Sequence, residues 1–277
     1  MALPLRLRSP LNRFPDGLPS NISIENETVT GKNSATIGQM VDDEILSFLR
    51  NSSIFNGLSD LGLHEVYSAA RLIWLDAGEF FFLQGDPASS FYLLKDGSVK
   101  LLQLTPDGQQ VLMRLIGAWT FFAVIALVEN TIYPVTAQAA EPCQALTWSH
   151  SAMKPLLEKY PSISLNAMKM MAEQVHEYQD RLKELATERV ERRLARALLR
   201  LAAQTGRKTN EGVLIDLPLS RQNLAEMTGT TLFTVSRILS QWENQGLIKS
   251  GREKIIICFP HGLVKIAEDL PTGGASI

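Results

Sequence analysis

The stretch from about Leu217 to Trp242 constrains this chain more than any other. Ser220 is placed to cap a short helix that carries Leu224 and Ala225 inward, and Ala225 is small enough for a second helix to cross it closely. Gly229 falls in the connection, where a sharp turn needs a positive φ. Thr230 or Thr231 caps the second helix, whose inward face is Val235, Ile238 and Leu239. Its other face carries Leu232, Phe233, Ser236 and Arg237. The pattern predicts a helix-turn-helix whose second helix enters the major groove of DNA.

The residue types on that outer face set the expected chemistry. An arginine at 237 can donate two hydrogen bonds to guanine O6 and N7, worth about 1–3 kcal/mol of discrimination. Ser236 suits a base or a phosphate, while the Leu232 and Phe233 side chains donate nothing and pack on thymine methyls. Ser220, Arg221, Gln222 and the capping threonine are placed for phosphates, which fix register rather than sequence. Beyond Trp242, residues 247–257 read as strand, turn and strand, a wing that offers Arg252 and Lys254 to the DNA backbone. The competing reading is an ordinary helical hairpin. It has no need for a glycine at this offset, a capped second helix and a wing together.

Upstream the texture differs. Glycines recur at 78, 85, 97, 108 and 117 between Leu72 and Trp148, and the pairs Asp96-Gly97 and Asp107-Gly108 suit tight turns. The runs Glu79–Leu83, Phe91–Leu94, Val99–Leu104 and Val111–Ile116 are short and rich in aromatic or β-branched residues. They predict an antiparallel sandwich or roll, preceded by two short helical patterns between Val41 and Ala70.

Met168, Met171, Val175, Tyr178, Leu182 and Leu185 follow at alternating steps of three and four. This heptad seam predicts a parallel homodimer, the polar flanks leaving little more than a two-helix contact; packing on the chain's own core is the alternative. A further helix is expected to start at Thr187 as N-cap, with Glu188 at the positive end of its dipole, making Ala186–Thr187 the hinge. Its apolar face is Val190, Leu194, Ala197, Leu198 and Leu201, with Arg192, Arg193, Arg196 and Arg200 off that face, and Gln204-Thr205-Gly206 ends it. The expected organisation is therefore a flexible extension over 1–38, a sensor domain over 39–160, a dimerisation helix over 161–186 and a reader over 187–277.

The formal charge of −2 gives no hint of nucleic acid, but from Glu188 onward thirteen Lys/Arg face nine Asp/Glu. A basic bias confined to one end suits a reader joined to a neutral sensor. Two distant cysteines, Cys143 and Cys258, provide neither a zinc finger nor a dithiol motif, and an iron–sulfur cluster lacks its thiolates. No run of about 20 apolar residues suits a membrane span, and the N-terminus lacks a secretory apolar core, so a cytoplasmic location is expected by elimination. No nucleophile motif, metal cluster or phosphate loop marks an enzyme.

On the segments AGEFFFLQGDPASSFYLLKDGSVKLLQ (77–103) and LPLSRQNLAEMTGTTLFTVSRILSQWENQGLI (217–248), the chain resembles the Crp–Fnr family of bacterial transcription regulators from about Ile54 to Pro260. The resemblance implies an α+β fold with a cyclic-nucleotide-binding-like β-roll, a dimer helix and a winged helix-turn-helix. It also implies a homodimer on near-palindromic double-stranded DNA and a contact with RNA polymerase. The family's Gly-Glu and Arg-Ser pairs, which hold ribose and cyclic phosphate, correspond here to Phe122-Ala123 and Tyr133-Pro134. Neither the carboxylate nor the positive charge survives, so cyclic AMP would be desolvated without compensation. The N-terminal cysteines of the oxygen-sensing branch are missing. What is expected instead is an apolar effector pocket lined by Trp119, Phe121, Phe122, Ala123, Tyr133 and Pro134. The segments TTLFTVSR and YPVTAQA resemble regulators that respond to nitrogen oxides, some through haem; His64, His150 and His176 are then candidate ligands or ordinary surface and helix histidines. In the reading helix the family's acidic residue is replaced by Phe233 and an arginine by Leu232, while Ser236-Arg237 is kept. Two alternatives remain: a regulator with no ligand, favoured by a dry aromatic-filled pocket, and a cyclic-nucleotide-binding regulatory module.

Overall fold

The computed structural model describes residues 43–105 and 110–270, which belong to one compact unit. The extension expected over 1–38 and the Asp107-Gly108 turn lie outside the described residues. The chain enters with α1 (43–51) and α2 (Asp60–Ser68), whose N-cap Ser59 accepts the Gly62 N–H. Eight strands follow: β1 (Arg71–Leu75), β2 (Phe80–Phe82), β3 (Ser90–Asp96), β4 (Val99–Leu104), β5 (Gln110–Ile116), β6 (Thr120–Phe122), β7 (Thr136–Ala139) and β8 (Cys143–Ser149). They pair antiparallel in two four-stranded sheets, β1-β8-β3-β6 and β2-β7-β4-β5. The two sheets form the roll anticipated from the short glycine-punctuated runs.

Aromatic packing closes the roll. Phe91 and Trp148 stack with centroids 5.0 Å apart, and the Trp148 indole N–H donates to the Val66 carbonyl at 2.8 Å, tying α2 to β8. At the Asp96-Gly97 turn Gly97 adopts φ +87°, and a Cβ there would meet the Pro142 carbonyl oxygen at 2.4 Å. Both the dihedral and the space therefore demand glycine. A 3₁₀ turn (Val124–Leu127) follows β6, and α3 (His150–Lys159) leads into α4 (Pro161–Thr187), 27 residues long. At 1.5 Å per residue α4 extends about 40 Å.

Two faces of α4 do different work. Ile163 and Ala167 are buried, Asn166 donates to the Ile54 and Asn56 carbonyls, and Arg181 donates to the Met113 carbonyl at 2.9 Å. The other face leaves Met168, Val175, Tyr178, Leu182 and Leu185 exposed, with Met171 half-buried between them. Leu165, one step earlier on the same stripe, is exposed too.

The junction to α5 (Val190–Thr205) differs from the expected cap. Thr187 is the last residue of α4, and its hydroxyl donates to the Lys183 carbonyl at 2.9 Å. A threonine near a helix end finds the carbonyl four residues back within reach, so α4 runs on and the break falls at Glu188-Arg189. Glu188 instead pairs with Arg196 and Arg192 of the new helix.

After α5 comes a hairpin that sequence patterning missed, β9 (Gly206–Thr209) and β10 (Gly212–Ile215). The wing strands β11 (Ile248–Gly251) and β12 (Lys254–Ile257) join it in a third sheet, ordered β11-β12-β10-β9. The last described helix is α8 (Pro260–Glu268). Leu102, Leu112 and Leu115 from the roll lie in the same buried cluster as Leu194, Leu198, Leu217, Leu224 and Trp242. Roll and reader thus meet in a shared buried cluster, while Phe91 and Trp148 pack within the roll itself.

Candidate nucleic-acid interface

Helix α6 (Arg221–Met227) opens on a reciprocal cap. The Ser220 hydroxyl accepts the Asn223 N–H at 3.0 Å, and Asn223 Oδ1 accepts the Ser220 N–H at 3.1 Å. The same hydroxyl donates to Asn223 Oδ1 at 2.7 Å, so Ser220 is engaged by its own helix. Leu224 and Ala225 are buried as the periodicity required. Gly229 adopts φ +60° in the connection, and a Cβ would stand 2.8 Å from a Leu185 methyl at the end of α4. Of the two threonines considered, Thr231 is the cap of α7 (Leu232–Asn244), accepting the Thr234 N–H, while the half-buried Thr230 donates its backbone N–H to Ala225.

Val235, Ile238, Leu239 and Trp242 seat α7 in the core, and the Trp242 indole donates to Glu191 at 3.2 Å. What remains outside is Phe233 (78% exposed), Leu232 (48%), Arg237 and the half-buried Ser236. Ser240 and Gln241 are exposed on the same face and were overlooked. They stand three and four residues beyond Arg237, a helical signal that would have found them.

Hydrogen-bond saturation separates structural cations from free ones. Arg193 donates to the Glu188, Thr228 and Gly229 carbonyls, clamping the helix-turn-helix connection to the α4–α5 break. Arg192, Arg196 and Arg200 pair with Glu188, Asp269, Glu268 and Glu184. Arg221 donates to Ser250 of the wing at 3.4 Å, and Gln222 to Glu226 at 2.8 Å. Among the described residues Arg237, Arg252 and Lys254 have no such partner and are exposed. The wing tip is fixed by the Leu219 N–H on the Glu253 carbonyl, which sets Arg252 and Lys254 beside the Leu217-Pro218 segment that leads into α6. A protein surface that leaves guanidinium and ammonium groups unneutralised beside a groove-sized helix is built for a polyanion.

The six expected pocket residues divide. Trp119, Phe121, Phe122 and Ala123 line a cavity of about 410 Å³ between α1, the β5–β6 edge and α4, together with Phe48, Arg114 and Met171. Tyr133 and Pro134 do not line it. Tyr133 is buried, stacked on Phe82 with centroids 3.8 Å apart, because its hydroxyl finds both the N–H and the carbonyl of Ser90. Pro134 is exposed. Tyr92 stacks on Phe122 and on Phe82, so the roll interior at these positions is filled with rings. Burial, with Tyr133 alongside, pushes the Tyr92 phenol far above its ordinary range and keeps it neutral.

His64 and His176 are exposed on α2 and α4, and His150 Nδ1 meets the Ala126 carbonyl. Among the described residues no cluster of three or more His, Cys, Asp or Glu is placed to hold a metal ion. Both cysteines are free, and desolvation pushes the Cys143 thiol up to about 11. No described helix is long and apolar enough to cross a membrane.

A winged reading helix on a cyclic-nucleotide-binding type of roll defines a DNA-binding transcription regulator rather than an enzyme. Comparison with known proteins agrees: the Crp-like helix-turn-helix domain matches residues 192–266 and the cyclic nucleotide-binding domain residues 72–160. The chain belongs to the Crp–Fnr family of transcription regulators. It is 22% identical over 215 residues to the CRP-like cAMP-activated global transcriptional regulator of Mycobacterium tuberculosis, covering 78% of this chain and 95% of that one. It is 28% identical over 190 residues to the global nitrogen regulator of Synechocystis sp., covering 68% and 84%. The structure of FixK2 from Bradyrhizobium japonicum superposes with a TM-score of 0.63 at 22% identity, covering 71% of this chain and 96% of that one.

Proposed function

We propose that this regulator acts in the cytoplasm as a homodimer on a near-palindromic operator, contacts RNA polymerase, and answers to a small signal other than cyclic AMP. The observation that carries the DNA reading is Arg237, exposed and unpartnered on the outer face of α7 while the arginines of α5 are internally bonded. Dimerisation through α4 is supported by the apolar stripe left uncovered from Leu165 to Leu185. Two-fold symmetry would present two copies of α7 to successive major-groove faces. Arg237 then reads one guanine per half-site, with Ser236, Leu232 and Phe233 setting the neighbouring bases. Arg221, Gln222, Thr230 and Thr231 lie beside the phosphates, and Arg252 and Lys254 follow them along the backbone from the wing. Ser220 contributes by its cap.

A footprint on the native operator is expected to show two protected half-sites about 34–36 Å apart along the helix axis, or a multiple of that turn. Protection of a single asymmetric half-site would defeat the dimeric reading.

Against cyclic AMP stand Ala123 and Tyr133 where the family carries a carboxylate and a guanidinium, and the ring stack around Tyr133. Isothermal titration with cyclic AMP should give no saturable heat up to about millimolar nucleotide, the concentration where binding free energy falls to about 4 kcal/mol. Micromolar affinity would reverse this reading. The filled roll interior also favours a second one, a regulator without a ligand. DNA binding by purified protein with no additive is its expected mark. Haem through His64, His150 or His176 has less support, because they stand on three separate helices, α2, α3 and α4.

A further inference from the structure

One carboxylate of the reader sits where neither its helix nor DNA favours it. Glu243 lies in the last turn of α7, against the negative end of the helix dipole, on a domain whose partner is a polyanion. It forms no ion pair among the described residues, and Lys249, one residue before its wing partner, is bonded to Glu211 instead at 3.0 Å. Glu243 is turned to the wing. Its Oε1 accepts both the Ser250 N–H at 2.8 Å and the Ser250 hydroxyl at 2.6 Å. The same hydroxyl accepts Arg221 Nη2 at 3.4 Å. The bonds run one way, from guanidinium through hydroxyl to carboxylate.

A second tie holds the wing from its other end. β11 and β12 pair Gly251 with Lys254, which leaves Arg252-Glu253 as a two-residue tip. Glu253 holds φ +56°, a conformation that non-glycine backbone keeps where its surroundings enforce it. The Leu219 N–H on its carbonyl, at 3.1 Å, supplies that constraint. Leu219 and Arg221 flank the Ser220 cap of α6, so both ties end on one short segment. Ser250 is therefore a fixed anchor for Arg221.

A guanidinium has five N–H donors, and one long bond to Ser250 leaves the rest of the exposed fork free. The relay restricts the rotamers of Arg221 without consuming its charge, which lowers the ordering cost of gripping a phosphate. The hydroxyl's bond to a carboxylate is charge-assisted, so its proton stays on the Glu243 side and its lone pair faces Arg221. We propose that Glu243 and Ser250 are positioning residues for DNA binding: through Ser250, Glu243 aims Arg221 at a backbone phosphate. The assignment rests on the reading of α6, α7 and the wing as the DNA-binding face. It runs against plain Coulomb repulsion, under which losing a carboxylate beside DNA tightens binding.

The test uses full-length protein, with fluorescence anisotropy on operator and scrambled duplexes over a series of salt concentrations and melting curves for every variant. Arg221→Ala is expected to flatten the slope of log K against log salt by about 0.9 per chain, the loss of one phosphate contact. Glu243→Ala should flatten it in the same direction and weaken both duplexes about tenfold, a net hydrogen bond lost from each of two chains. Glu243→Gln keeps an oxygen that can accept both Ser250 bonds and Ser250→Thr keeps the hydroxyl, so both should stay within about twofold of the parent. In an Arg221→Ala background, Glu243→Ala should add less than about twofold, because the two act through one contact. If Glu243→Ala does not melt cooperatively, Ser250→Ala, which removes only the hydroxyl, is judged by the same slope. The proposal is overturned if the folded variant binds as tightly as the parent or more tightly, if its slope matches the parent's, or if its effect multiplies with that of Arg221→Ala. A parent that does not bind the operator removes the DNA reading itself, whereas a parent that binds it with the variants unmoved removes only the positioning role.

Discussion

Arg237→Ala is expected to reduce affinity for the specific operator by about 30-fold to about 20,000-fold while leaving binding to unrelated DNA nearly unchanged. A bidentate arginine–guanine contact discriminates by about 1–3 kcal/mol, a symmetric dimer makes it twice, and each 1.4 kcal/mol is tenfold. Nonspecific affinity comes from phosphates, to which Arg252, Lys254 and Arg221 would still contribute. The side chain is exposed and bonded to nothing else in the described structure, so the melting midpoint should move by no more than a surface substitution does, within about 0.5 kcal/mol. The measurement is fluorescence anisotropy on operator and scrambled duplexes at one fixed salt concentration. An unchanged ratio between the two would remove Arg237 from base reading. Arg237→Lys should recover little, because an ammonium lacks the planar fork. Arg252→Ala provides the contrast, weakening both duplexes alike and flattening the salt dependence.

The reader was legible because its signals are local and agree with one another. Ser220, Ala225, Gly229 and Thr231 each perform the backbone or packing task their residue type suggests, within one short segment. The roll was legible for a related reason, since glycines punctuate its short apolar runs, as Gly97 does after β3 and Gly117 after β5. β9 was not. All four of its residues are exposed, so no two-residue alternation marks it, and Thr205-Gly206 read as a plain helix stop. The α4–α5 break shifted because a threonine followed by glutamate fits a helix end as well as a helix start. Here the bond back to Lys183 decided for the end.

The candidate signal site was the least legible part, and for physical reasons. Alignment to a family fixes which residues occupy the strands but not which rings fold inward. Tyr133 goes inward because Ser90, 43 positions away, supplies partners for its hydroxyl. Arg114 and Phe48 reach the cavity wall only through tertiary packing of β5 and α1 around β6. Nor could spacing show that Leu102 and Leu112 join the reader's core, which couples roll and helix-turn-helix through shared burial.

That coupling gives the seam of α4 its weight, and Leu182→Glu tests it with the second large expected effect. Leu182 is 69% exposed in the single chain, yet it sits on a stripe of apolar residues at heptad spacing. In a parallel two-fold helix pair each seam residue faces its own copy, so one substitution places two carboxylates against each other. Burying that pair uncompensated costs several kcal/mol. The variant is expected to sediment as a monomer at micromolar concentration, where the parent sediments as a dimer. Its melting should remain cooperative, because the opposite face of α4, with Ile163, Ala167 and Arg181, holds the helix to its own roll. Operator affinity should fall by about 100- to 10,000-fold, since the second half-site loses the effective concentration that linkage provides. Leu182→Met, similar in volume and apolar, should behave as the parent. A Leu182→Glu protein that still sediments as a dimer would move the interface off this stripe. Loss of operator binding from such a dimer would then point to Leu185, whose methyl lies against Gly229, as the route from α4 to the reading helix.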